Sequence, residues 1–234
     1  MDGRSPEEQN YLQTMRDRGV NLGRQINIQR RDPSSIIGDR AFSNEAQEVI
    51  KNASFFIDGM NEAGMSSTGK HFPGHGDTDS DSHKTLPLVD HTKARIDTVD
   101  LIPFKRLIDS GVASVMVAHL NIPSLDSTEN RASTLSPYVV DTMLRQQLNF
   151  SGLTFTDALN MKGVSSFYKS GALEVAALQA GNDVLLYPED IPAAFTAIKK
   201  AIQDSLLTED RINQSCHKIL KAKEWLGLTS DVQL

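Results

Sequence analysis

A chain of 234 residues, 39% hydrophobic and 23% charged, has the balance of a packed globular domain and excludes a disordered, low-complexity polymer. Its net charge of −6 argues against a nucleic-acid-binding face, and no run approaches the roughly 18 apolar residues of a membrane span. The single cysteine, Cys216, excludes an intramolecular disulfide and falls in an apolar helical pattern, where it reads as buried filler. The opening MDGRSPEEQN is polar, unlike a secretory signal.

Short apolar runs alternate with longer segments of helical period, which predicts a parallel α/β sheet of about five strands. Gly19 to Asn27 reads as a weak strand. A helix over about Asn44 to Glu62 follows, with Ala46, Val49, Ile50, Ala53 and Ile57 on one stripe. The segment ending in Lys70 and His71 comes next, then a loop rich in Gly, Asp, Ser and His. A helix around Thr98 to Ser110 leads into VASVMVAHL, Val112 to Leu120, which is apolar on both faces, as a buried parallel strand is.

Ser136 and Pro137 read as the N-cap and first position of a helix reaching about Leu148. Gly152 opens the strand LTFTD, a helix spans about Ala172 to Ala180, and Gly181 precedes the strand DVLLYP. Two helices finish the chain. The last takes Thr208 as N-cap and Glu209 and Asp210 in its first turn, where the helix dipole favours acids. Its apolar stripe is Ile212, Cys216, Ile219, Leu220 and Leu226. Five strands suit an open doubly wound sheet and fall short of the eight of a TIM barrel; periodicity does not choose between them.

The segment KHFPGHGDTDSDSHKTLP, Lys70 to Pro87, packs three histidines, three aspartates and two lysines into 18 residues at the end of a strand. Pro73, Gly74 and Gly76 forbid a helix, so His71 and His75 are not a helical zinc pair. In parallel α/β folds active sites form at the C-terminal ends of strands, although a solvated turn-rich loop has the same composition. Within it, Asp81-Ser82-His83 spaces a carboxylate to accept the ring N–H of a histidine, raising the basicity of its other nitrogen. Such a pair can work as acid and then base near neutral pH.

The second candidate is LTFTDALNM, Leu153 to Met161, with Asp157 at the end of its strand. There Asp157 reads equally as a helix N-cap or as a nucleophile able to form a covalent glycosyl ester.

KHFPGHGDTDSDSHKTLP together with FTDALNMKGV strongly resembles the β-N-acetylglucosaminidases of glycoside hydrolase family 3, over about Arg40 to Leu228. VMVAHLNIP and AGNDVLL share in the resemblance. It implies a single (β/α)8-type barrel domain over 1–234, without cofactor or metal, acting by a retaining two-step mechanism on glycans containing N-acetylglucosamine, peptidoglycan fragments among them. By the same resemblance, Asp157 matches the nucleophile and His83 the acid/base, with Asp81 as its partner. Lys70, His71 and Arg40 match residues that hold the sugar. His119 lies near the site in such barrels, or serves as a core histidine.

The resemblance departs at the start, where the family carries a further strand pair with an Asp-x-Glu-Gly-Gly-type segment. The chain is therefore expected to be an N-terminally incomplete barrel, with a missing segment or further domain elsewhere. GVNLGRQINIQRRDP and GMSSTGK are weak strands for the family. The sequence leaves the compartment open between bacterial cytoplasm and periplasm. Two other readings stand beside it: the residues also suit a metal-dependent hydrolase using His71, His75, His83 and the loop aspartates, and the missing strands favour a non-catalytic remnant that binds sugar or a partner chain. Within the glycosidase reading, phosphate can replace water as acceptor.

Overall fold

The computed structural model describes residues 41–75, 78 and 85–228. The expected strand at Gly19 to Asn27, together with Arg40, Asp81 and His83, lies outside the described residues.

Helix α1 (Ala46–Glu62) forms where the apolar stripe predicts it and buries Val49, Ala53 and Ile57. Strand β1 (Thr68–Phe72) follows. Helical turns at Lys93–Arg95 and, in π form, at Ile96–Asp100 then lead into α2 (Leu101–Asp109). Strand β2 (Ser114–Val117) pairs in parallel with β1 on one side and β3 (Leu153–Thr156) on the other. Between β2 and β3 runs a helix wound in π form, Tyr138–Gln147. The chain ends in α3 (Ala172–Ala180), α4 (Ile191–Gln203) and α5 (Glu209–Trp225). None of the described helices is long and apolar enough to cross a membrane.

The weak sequence before Lys70 does form a strand. Thr68 pairs with Ser114 in the ladder, and their hydroxyls bond at 2.6 Å, so polar residues supply the cross-strand contact that aliphatics usually make. The main core lies on one side of the sheet, where α1 and α2 pack over Val115 and Val117, and Phe72 meets Phe104 edge-on at 5.2 Å. Gly152 opens β3 for a steric reason: a Cβ there would collide with the Ala113 carbonyl oxygen and the Phe150 ring. Ser136 caps its helix weakly, accepting the Val139 N–H at 3.4 Å while donating to Asp126 Oδ2 at 2.6 Å.

Three expectations need correction. DVLLYP is not a strand but a single parallel bridge, Val184 to Phe155. The run is interrupted at both ends, because Asp183 is drawn into an ion cluster and Tyr187 takes a left-handed φ of 48°. Cys216 is exposed rather than buried. The same helix also leaves Leu220 58% exposed, and of the apolar stripe Ile212 packs against the Leu178, Ala201 and Leu207 cluster. Helix α5 turns Arg211, Ser215 and Lys218 inward, one residue earlier around the helix.

That inward face meets Asp183, whose carboxylate is buried at the start of the run leading to Val184. Arg145 binds its Oδ2, the Ser215 hydroxyl donates to Oδ1 at 2.8 Å, and the Thr154 amide donates to Oδ2 at 3.0 Å. Arg145 also donates to the carbonyl oxygens of Gly152 and Phe150, and Arg211 to that of Asn182. One carboxylate thus ties the Tyr138–Gln147 helix and α5 to the start of β3. Burial alone pushes the Asp183 carboxyl up; Arg145, Ser215, Thr154 and Lys218 more than reverse this and hold it below the ordinary carboxylate range.

Candidate active site

The parallel register brings the C-terminal ends of β1, β2 and β3 to one edge: Phe72 pairs with Val117, and Val117 with Thr156. Four of the candidate residues lie at or just beyond these ends. Lys70 and His71 belong to the end of β1, where the Lys70–His71 and Phe72–Pro73 peptide bonds are cis. His119 follows β2, and Asp157 follows β3.

Asp157 is not a helix N-cap. The next helical turn, Lys162–Ser165, begins five residues later with Met161 in the cap position. The Asp157 backbone N–H instead extends the sheet, donating to the Val117 carbonyl at 3.0 Å. Its Oδ1 accepts the Ala158 N–H at 2.9 Å, and its Oδ2 lies 3.4 Å from His71 Nε2. The side chain keeps 14% of its surface accessible, so the group is not sealed off completely.

Burial by itself raises the Asp157 carboxyl. The charges of His71 and His119, the Ala158 N–H and the charge of Lys70 outweigh it and hold the group below the ordinary carboxylate range. The site thus keeps an ionised carboxylate in a partly desolvated place, the state that a nucleophile requires.

The other named residues fall around it. His71 is buried and packs edge-on against His75 at 5.7 Å. His75 is buried too, with Nδ1 bonded to the Thr78 hydroxyl at 2.5 Å. Lys70 is near enough to act on Asp157 through its charge. His119 is fully buried, with Nε2 3.1 Å from the Ala158 carbonyl and Nδ1 2.9 Å from Thr134 Oγ1. Among the described residues, no three of His, Cys, Asp and Glu converge closely enough to hold a metal ion. Sequence reasoning missed Thr134 and the Ala158 carbonyl, because neither belongs to a residue type that announces chemistry. It also missed the two cis peptides, of which only Phe72–Pro73 had a signal, the proline itself.

Residues 12–222 match the glycosyl hydrolase family 3 N-terminal domain. The chain belongs to glycosyl hydrolase family 3. It is 38% identical over 197 residues to a β-hexosaminidase of Idiomarina loihiensis, covering 84% of this chain and 58% of that protein. A β-hexosaminidase of Shewanella frigidimarina is 44% identical over 158 residues, 67% of this chain and 46% of that protein. The chain therefore spans about half the length of these curated relatives. Among solved structures, a family 3 β-N-acetylglucosaminidase from Paenibacillus sp. str. FPU-7 superposes with a TM-score of 0.87 at 33% identity, covering 97% of this chain and 44% of that one.

Proposed function

We propose that this family 3 chain is a retaining β-N-acetylhexosaminidase that releases terminal β-linked N-acetylglucosamine, from peptidoglycan fragments or related glycans. The carrying observation is the Asp157 carboxylate at the end of β3, held in its ionised form, with Oδ1 accepting the Ala158 N–H and Oδ2 3.4 Å from His71 Nε2. The names of the relatives, β-hexosaminidases and a β-N-acetylglucosaminidase, support the substrate class. We read the single domain, 1–234, as part of a (β/α)8-type barrel.

In the first step Asp157 Oδ2 attacks the anomeric carbon and forms a glycosyl ester. The glycosidic bond breaks, and the leaving oxygen takes a proton from His83, held by Asp81. In the second, His83 takes a proton from water, whose oxygen attacks the anomeric carbon and frees the Asp157 carboxylate. Lys70, His71 and Arg40 hold the sugar hydroxyls. The roles of His83, Asp81, Lys70, His71 and Arg40 rest on the family resemblance. This account needs no metal and no cofactor.

The chain is expected to hydrolyse an aryl N-acetyl-β-glucosaminide equally well with and without EDTA. Loss of the activity on chelation would favour a metal-dependent hydrolase built from the loop histidines. Inactivity of a demonstrably folded chain would instead make it a non-catalytic sugar-binding member of the family.

A further inference from the structure

The second residue after β2, His119, presents an unusual hydrogen-bonding problem. Its ring is fully buried, so each ring nitrogen depends on the protein around it. Nε2 lies 3.1 Å from the Ala158 carbonyl oxygen, which can only accept, so Nε2 carries a proton. Nδ1 lies 2.9 Å from Thr134 Oγ1, which can either accept or donate.

The surroundings of Thr134 decide which. Its one hydroxyl proton has three claimants: Nδ1, the Val117 carbonyl at 3.1 Å, and the Ala118 carbonyl in still closer contact. A carbonyl oxygen can only accept, and two of them face the hydroxyl, so the proton goes to a carbonyl. Asn182 Nδ2 holds the Thr134 carbonyl at 2.9 Å and fixes the Ser133–Leu135 turn in place. The hydroxyl then offers a lone pair to Nδ1, which must donate in turn.

We propose that His119 is held as a doubly protonated imidazolium and acts as a positioning residue, its charge and its grip on the Ala158 carbonyl keeping the Asp157 carboxylate ionised and aimed. The catalytic half of this inference rests on the glycosidase reading above; the protonation half does not. Among the described residues, the charged groups gathered at this edge are Asp157 from β3 and Lys70 and His71 from β1, while the Ser133–Leu135 turn and Asn182 present neutral groups.

The arrangement suits both chemical steps. Attack on the anomeric carbon needs the carboxylate form, and release of the glycosyl ester is faster when that carboxylate is a stable leaving group. A buried cation near Asp157 keeps the carboxylate form populated for the first step and stabilises it as the leaving group in the second. The contact runs through Ala158, whose N–H binds Oδ1 of Asp157 and whose carbonyl binds Nε2 of His119. The two side chains are therefore linked through the two peptide groups on either side of one residue, Ala158.

The test uses the full chain labelled with ¹⁵N-histidine, with the His119 ring assigned through its contacts to Thr134 and Ala158. Both ring nitrogens of His119 are expected to carry protons at neutral pH. Thr134→Val removes the acceptor of Nδ1 and should leave one ring proton, while raising the acid limb of kcat/KM by about one pH unit. Thr134→Ser keeps the hydroxyl and should restore both readings. A singly protonated ring in the wild-type chain overturns the proposal, and so does an acid limb that stays put in Thr134→Val after the ring has lost its proton. A chain without hydrolase activity would sink the glycosidase reading, and the ring signals would still decide the state of His119.

Discussion

Asp157→Ala is expected to lower the hydrolysis of an aryl N-acetyl-β-glucosaminide by roughly 10⁴-fold, the scale on which enzymes lose a catalytic group. The reason is geometric as much as chemical. Asp157 lies at the only described strand end where a carboxylate is held ionised with one oxygen free of backbone contacts. Alanine keeps the backbone N–H bond to Val117, so the sheet should survive and the far-ultraviolet circular dichroism should not change. Azide added to the variant should occupy the vacated space and attack the anomeric carbon from the face that Asp157 uses. Its product should be a glycosyl azide of inverted, α configuration. A variant that retains a tenth or more of wild-type activity would place the nucleophile elsewhere.

The largest expected effect on stability comes from Asp183→Ala. Arg145, Arg211 and Lys218 all converge on this buried carboxylate, and removing it leaves their charges desolvated and uncompensated. Breaking a buried ion pair in this one-sided way costs about 3–5 kcal/mol. Urea unfolding monitored by circular dichroism should show the loss as a lowered midpoint. An unchanged midpoint would mean that water reaches the cluster and solvates it.

The same group gives the chain a pH dependence. The folded Asp183 carboxyl is held below the ordinary range, so its contribution is complete above the unfolded carboxylate value of about 3.9 and is lost as pH falls through the folded value. Asp157 adds in the same direction. Stability should therefore fall steeply below about pH 4, and Asp183→Ala should flatten that fall.

Much of this was legible in the chain itself, for physical reasons. Helix α1 was readable because its buried positions keep helical period, and β2 because a strand covered on both faces is apolar throughout. The position of Asp157 was readable because it directly follows the apolar strand LTFT, whereas Lys70 and His71 end a polar strand and stood out through the loop motif that they open. Helix α5 was misread by one residue around its axis. A count of apolar side chains cannot foresee that a carboxylate from a distant loop will draw Arg211, Ser215 and Lys218 inward and leave Cys216 and Leu220 to solvent. The bridge at Val184 failed as a strand for the same cause, since Asp183 belongs to that cluster. Thr134 was invisible because a threonine gains its role only through the carbonyls that surround it.

The nucleophilic role of Asp157 is the centre of the account, and a slow-turnover substrate tests it most directly. A 5-fluoro N-acetylglucosaminyl fluoride should load the enzyme rapidly, because fluoride leaves well, and unload slowly, because the ring fluorine disfavours the oxocarbenium-like transition state of hydrolysis. Digestion and mass spectrometry of the trapped chain should find one fluorinated sugar on the peptide containing Asp157, and none on the Asp157→Ala chain. Steady release of fluoride without any adduct at Asp157, or an adduct on another residue, would contradict it.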